Sequence, residues 1–191
     1  MKKTILLLAV AIISTGAFAQ TTWKNDKMHS KLGFTITHLM VSDVDGIFTD
    51  FTCTITAAKP DFSDAKFDLT VNTTSVNTDV DYRDKDLRSE NYFDVAKFPT
   101  MTFSSTGITP VSTNHYKLTG NLTLHGVTKS VTMDLWYRGT IVNPMSKKDD
   151  AGFKLTGTIN RKDFGIAPGA GNSMLSDDVT INANGEFAKA N

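Results

Sequence analysis

The sequence predicts an all-β chain: an eight-stranded antiparallel β-barrel carrying one short helical insert. Three observations predict it. Period-2 alternation of apolar and polar residues dominates from Leu32 onward, as half-buried strands require. The runs are long and follow one another as hairpins, which favours an up-and-down barrel over a sandwich. A single charged passage, Thr78 to Asp94, breaks the alternation with helical character.

The first nineteen residues stand apart. Lys2 and Lys3 precede an unbroken apolar run from Ile5 to Ile13, and Ala17-Phe18-Ala19 has the small-x-small form of a cleavage site. The run is too short to span a bilayer as a helix. Residues 1–19 therefore read as a cleaved signal peptide and residues 20–191 as the barrel domain. The mature chain is then expected in the periplasm or secreted, with no integral membrane segment. Without Lys2 and Lys3 it carries 18 basic against 20 acidic residues, which argues against nucleic acid. Cys53 is the only cysteine, so no internal disulfide is available and stability must come from a core. Its place in the alternation makes it a small buried hydrophobe.

The strands are read in order. Leu32, Phe34, Ile36, His38 and Met40 share one face. Asp43-Val44-Asp45-Gly46 reads as a hairpin turn. Ile47, Thr49, Phe51, Cys53 and Ile55 follow on one face, with Phe48 opposite. Pro60-Asp61 marks a turn, and Ala65, Phe67, Leu69 and Val71 alternate beyond it. Past the insert, Met101, Phe103 and Ser105 share a face in a strand expected to end at Gly107. Tyr116, Leu118, Leu122 and Leu124 come next, and Gly126 turns the chain into Val131, Met133, Leu135 and Tyr137. Phe153, Leu155 and Ile159 form another strand, and Val179, Ile181 and Ala183 the last. A short extra strand is expected around Trp23. Ten-residue strands rising roughly 3.3 Å per residue and tilted by about 40° give a barrel about 25 Å tall.

Eight strands leave room for packed side chains or one slim ligand. The inward set is rich in Phe, Leu, Ile and Met, a lining suited to an alkyl or isoprenoid chain. The candidate lining is Phe34, Ile36, Phe51, Phe67 and Leu69 in the first half. In the second half it is Met101, Phe103, Leu122, Met133, Leu135, Phe153, Leu155 and Phe164. His38 falls on the same face, as a core histidine or as a polar contact to a headgroup.

The insert reads as a helix capped by Thr78, with Asp79 and Asp81 in its first turn where the helix dipole favours negative charge. Pro99 forbids its continuation. Arg83, Asp84, Arg88 and Asp94 are expected to pin the insert through an ion-pair network. The competing reading is an anionic-headgroup site, and Arg161 and Asp163 carry the same two readings. No histidine pair has metal-site spacing, so neither metal nor cofactor is expected. Asp26, His29 and Ser30 supply triad residue types without showing contact, so no catalysis is expected.

Together these residues resemble the YceI-like family, also called the polyisoprenoid-binding family. The likeness starts with Trp23, Asp26, His29 and Ser30, then Phe34, His38 and Val44-Asp45-Gly46-Ile47-Phe48. It continues through Ser75-Val76-Asn77-Thr78, Arg83-Asp84, Leu87-Arg88-Ser89, Tyr92-Phe93-Asp94 and Phe98-Pro99. It closes with Phe103-Ser104-Ser105, Gly120 to Lys129 and Arg161 to Ile166. Asn121 stands where the family often has Asp. The resemblance implies a lipocalin-like extended barrel outside the cytoplasm. It implies an apolar tunnel for a long-chain isoprenoid or fatty-chain lipid, and no enzyme activity; a homodimer is left open. The alternatives are an outer-membrane barrel, whose strands also alternate, a lipid-modifying enzyme, and a structural module with a filled interior.

Overall fold

In the computed structural model, which describes residues 19–190, the alternating runs close into an antiparallel ring. Its strands are β1 (Thr21–Asn25), β2 (Lys31–His38), β3 (Ser42–Phe48), β4 (Phe51–Ala57), β5 (Lys66–Asn72) and β6 (Val76–Asn77). Helix α1 (Asp81–Leu87) follows, then β7 (Thr100–Ser112), β8 (His115–Leu124), β9 (Val127–Val142), β10 (Asp149–Asn160) and β11 (Leu175–Lys189). The short early strands are halves of longer, kinked ones. β1 and β2 both pair with β11, at Asn25↔Phe187 and Phe34↔Ile181. On their other edge they pair with β4 and β3, at Trp23↔Ile55 and Phe34↔Gly46. β5 and β6 continue against β4 and β3, and β7 to β11 complete the ring in chain order. Eight staves result, and the strand expected around Trp23 is the first half of one of them.

Each kink has its own hydrogen bonds. Asp26 Oδ1 accepts from the Met28 and His29 amides at 2.7 and 3.3 Å, which turns the chain between β1 and β2. Between β3 and β4, the Thr49 amide donates to the Ser75 carbonyl at 3.1 Å and the Asp50 amide to Ser75 Oγ at 3.1 Å. This second kink corrects the expected strand. The run from Ile47 to Ile55 crosses a bend, so parity resets: Phe48 is buried and Ile47 is not. Asp43 to Gly46 is likewise strand rather than turn. The turn is Leu39 to Val41, and Gly46 is needed because the Phe34 ring lies over its Cα, where a Cβ would collide with it. Gly120 gives the Phe103 ring the same clearance. Nor does Gly107 end its strand. β7 bulges between Ser105 and Gly107 and runs on to Ser112.

The interior is graded along its axis. At the end holding the β4–β5 loop, Phe62 is 2% exposed. Its ring lies 5.3, 4.9 and 5.0 Å from those of Trp23, Tyr137 and Phe153. Phe67 and Phe187 meet Phe153 edge-on at 5.6 Å. Each such buried ring contributes roughly 1.5–3 kcal/mol of burial, and the edge-to-face geometry adds about 0.5–1.5 kcal/mol per pair. Tyr116 Oη donates to the Asp61 carbonyl and ties the plug loop to β8. The opposite end is covered by α1 and by the loop between β10 and β11.

Candidate functional site

Between the aromatic plug and the insert lies a cavity of about 520 Å³, within the usual range for a small-molecule site. Its floor is Phe67, Phe153 and Phe187. Its walls come from every long strand. Phe34, Ile36, Phe51, Leu69, Met101 and Phe103 line it, as do Leu122, Met133, Leu135 and Leu155. Many of these are only half-buried, because their free surface faces the cavity. His38 lines the mouth and is exposed. Phe164 does not line the cavity. It closes a 3-10 turn, Arg161–Phe164, where its carbonyl faces His125 Nδ1 at 3.1 Å and its side chain is 1% exposed.

Sequence reasoning missed several lining residues. Phe48 and Val44 were hidden by the β3 parity and turn assignments. Leu87, Tyr92 and Phe93 come from the insert, whose fold onto the mouth is tertiary; the Phe93 ring meets Phe48 at 5.5 Å. The signal was present in the apolar residues of an otherwise charged segment. Cys53 also faces the cavity, and burial, aided by the Asp68 carboxylate, pushes its thiol up to about 12. It is a wall residue, not a nucleophile.

The insert is held differently from the expected ion-pair network. Thr78 does not cap α1; the cap residue is Val80, without a side-chain bond. Instead Asp84, buried within the helix, accepts from the Thr78 amide at 2.8 Å and from Thr78 Oγ1 at 2.6 Å. Arg83 donates to Thr78 Oγ1 and to its carbonyl, both at 2.8 Å. Arg88 reaches back to the carbonyls of Thr74 at 2.8 Å and Val76 at 2.6 Å. Asp94 turns the backbone at φ 45°, and its carbonyl accepts from the Lys97 and Phe98 amides. The charges pin the insert by satisfying backbone groups at the end of β6, where the ladder has run out. Burial, then the Asp86 carboxylate, raises the Tyr92 phenol, so a neutral hydroxyl sits at the mouth.

Arg161 fixes the other half of the cover. It is 2% exposed. Its guanidinium donates to the carbonyls of Ser176, Ile166, Ala167, Ala170 and Leu175, and pairs with Asp177 at 3.0 Å. All of its donor directions are used by this chain, as a buried guanidinium requires. Asp26 and His29 do touch, Oδ2 to Nδ1 at 3.1 Å, but Ser30 Oγ donates to the Glu186 carbonyl at 3.4 Å. The nucleophile of a triad is therefore turned away from its base.

The model of the YceI-like domain matches residues 23–187. The chain belongs to the YceI-like family. The protein YceI of Salmonella newport is 39% identical over 189 residues, covering 97% of this chain and 98% of that one. The crystal structure of the Campylobacter jejuni YCEI protein shares the fold at a TM-score of 0.74 and 33% identity, over 82% of this chain and 91% of that one. A polyisoprenoid binding domain from Saccharophagus degradans, implicated in plant cell wall breakdown, shares the fold alone. It has a TM-score of 0.66 and 14% identity, over 88% of this chain and 98% of that one. The matched span runs from Trp23 to Phe187, two members of the aromatic plug, so the YceI-like match takes in the whole cavity.

Proposed function

We propose that this YceI-like chain is a periplasmic or secreted carrier that holds a long-chain isoprenoid or fatty amphiphile in the barrel, without catalysing a reaction on it. The observation that carries the reading is the closed-floored apolar cavity. It is lined chiefly by Phe, Leu, Ile and Met; His38, Arg83, Asp86 and Tyr92 meet it at its mouth, and Ser30, Lys31 and Asn184 beside the β1–β2 kink and the buried Arg161 are its other polar neighbours. Such a shape takes an apolar tail tail-first and leaves a polar head among the insert's side chains. The isoprenoid class is suggested by the Saccharophagus neighbour; the apolar-chain chemistry follows independently from the lining. The polar outer face, with Lys66, Asp68, Lys117, Asp134 and Lys154 exposed, favours this reading over an outer-membrane barrel, which turns apolar residues to lipid.

The test is a titration with isoprenoid alcohols of increasing length. Each buried CH₂ is worth about 0.8 kcal/mol in transfer, so affinity should climb steeply with length and then level off when the cavity is full. Leu155→Asp should abolish retention while the barrel still folds. Length-independent binding, or retention of the isoprenoid by the Leu155→Asp variant, would overturn the reading.

A further inference from the structure

At the mouth end of the barrel six apolar side chains face solvent. Leu39, Met40 and Val41 form the β2–β3 tip and are 51%, 59% and 83% exposed. Met174 stands beside them, since the Leu39 amide donates to the Met174 carbonyl at 2.9 Å. Val80 and Tyr82 open the insert, are exposed, and line the cavity. His38, Val44 and Leu175, which flank the tip and Met174 in sequence, line the same cavity. The exposed apolar rim is thus continuous with the cavity mouth.

The tip is also costly to build. Leu39 and Met40 both lie in the left-handed region, at φ 51° and 58°. Tight hairpins normally assign such positions to Asn or Gly, and the β8–β9 turn of this barrel uses His125-Gly126. Bulky apolar residues in this conformation, without burial in return, point to a surface that is covered in use.

We propose that this rim docks on a zwitterionic phospholipid bilayer, with Leu39, Met40 and Val41 entering the interface and the mouth facing the acyl chains. The surrounding charge selects the surface. Exposed carboxylates flank the rim at Asp43 and Asp45 on the hairpin, and at Asp79, Asp81 and Asp86 on the insert. Arg83 and Lys85 are the cations of that helix. An anionic membrane would be repelled, and a neutral one would not. The docking rests on the carrier reading for its purpose, because a ligand entering at this mouth need not cross water. Its test does not depend on that reading.

The experiment is flotation of the exported full chain with ligand-free vesicles of phosphatidylcholine and phosphatidylethanolamine. The chain should float. Val41→Asp and Met40→Asp should each lower partitioning by about tenfold or more, since interfacial binding scales with buried apolar area. Met145→Asp, at an 88% exposed position on the opposite end, should change nothing. Adding phosphatidylglycerol should weaken flotation at low salt, with recovery as salt screens the carboxylates. No flotation of the unaltered chain, or equal loss with Met145→Asp, would overturn the proposal. Capture of a solubilised isoprenoid alcohol, measured in parallel, separates the two ideas. Capture without flotation sinks the docking alone, whereas flotation without capture sinks the carrier reading and leaves the docking standing.

Discussion

At one end of the barrel Phe62 packs among Trp23, Tyr137 and Phe153; at the other, Phe93 touches Phe48 above the apolar cavity. Both ends are closed by a chain segment crossing between strands, and both use aromatic rings. They differ in how the cover is held. The plug loop inserts its own Phe62 and fills the interior, so its cover is core. The insert and the β10–β11 loop are fastened by Arg83, Asp84, Arg88 and Arg161 to backbone groups at the rim, and leave the space beneath unfilled. Hydrogen-bonded attachment holds a cover in place without taking up the volume under it.

Phe62→Ala should break the closed end. Loss of a fully buried ring costs about 3–5 kcal/mol, read as a shift of the urea midpoint, while isoprenoid capture changes little. Stability loss below 1 kcal/mol would show that the plug is not core. Leu155→Ala sharpens the contrast from the other side. Leu155 already borders a void, so truncation should cost nearer 1 kcal/mol than the 2–5 kcal/mol of a packed leucine, yet capture should weaken measurably. Cys53 reports on the wall itself. With the thiol pushed up to about 12, against the usual value near 8.5, labelling by a disulfide reagent at pH 8 should be roughly a thousandfold slower than in unfolded chain. Labelling at the unfolded rate would mean the wall is open there.

The smallest effect belongs to the β1–β2 kink, which lies outside both covers. His29 is raised by its hydrogen bond to Asp26, then by the Asp26 and Glu186 charges, while Asp26 is lowered chiefly by the same bond to His29. A raised histidine stabilises fully below its unfolded value, about 6.5, and loses that contribution as pH rises through its folded value. A lowered aspartate stabilises above its unfolded value, about 3.9, and loses it as pH falls through its folded value. The pair therefore supports the kink best at mildly acid pH. His29→Gln should remove a small decline in urea midpoint between pH 6 and pH 8; an unchanged decline would assign it elsewhere.

The barrel was legible because alternation is a local signal, and twelve apolar positions of the cavity lining, from Phe34 to Leu155, follow from parity alone. What was not legible depends on contacts between distant segments. The bend at Thr49-Asp50 is set by Ser75, and without it the parity of Phe48 reads outward. Gly46 resembles a turn residue in sequence, but its lack of a side chain serves the Phe34 ring across the sheet. Arg161 and Asp84 look like surface charges until the carbonyls and hydroxyls that surround them are in place. Phe164 kept the right hydrophobicity and lost the right direction, because a 3-10 turn rather than a strand carries it.

The most direct measurement is native mass spectrometry of the chain from Gln20 to Asn191, followed by organic extraction. A stoichiometric long-chain amphiphile, lost on unfolding and absent from the Leu155→Asp variant, is the predicted result. A ligand-free mass that stays unchanged after incubation with long isoprenoid alcohols would contradict the carrier reading, and the cavity would then be a void in the fold rather than a site.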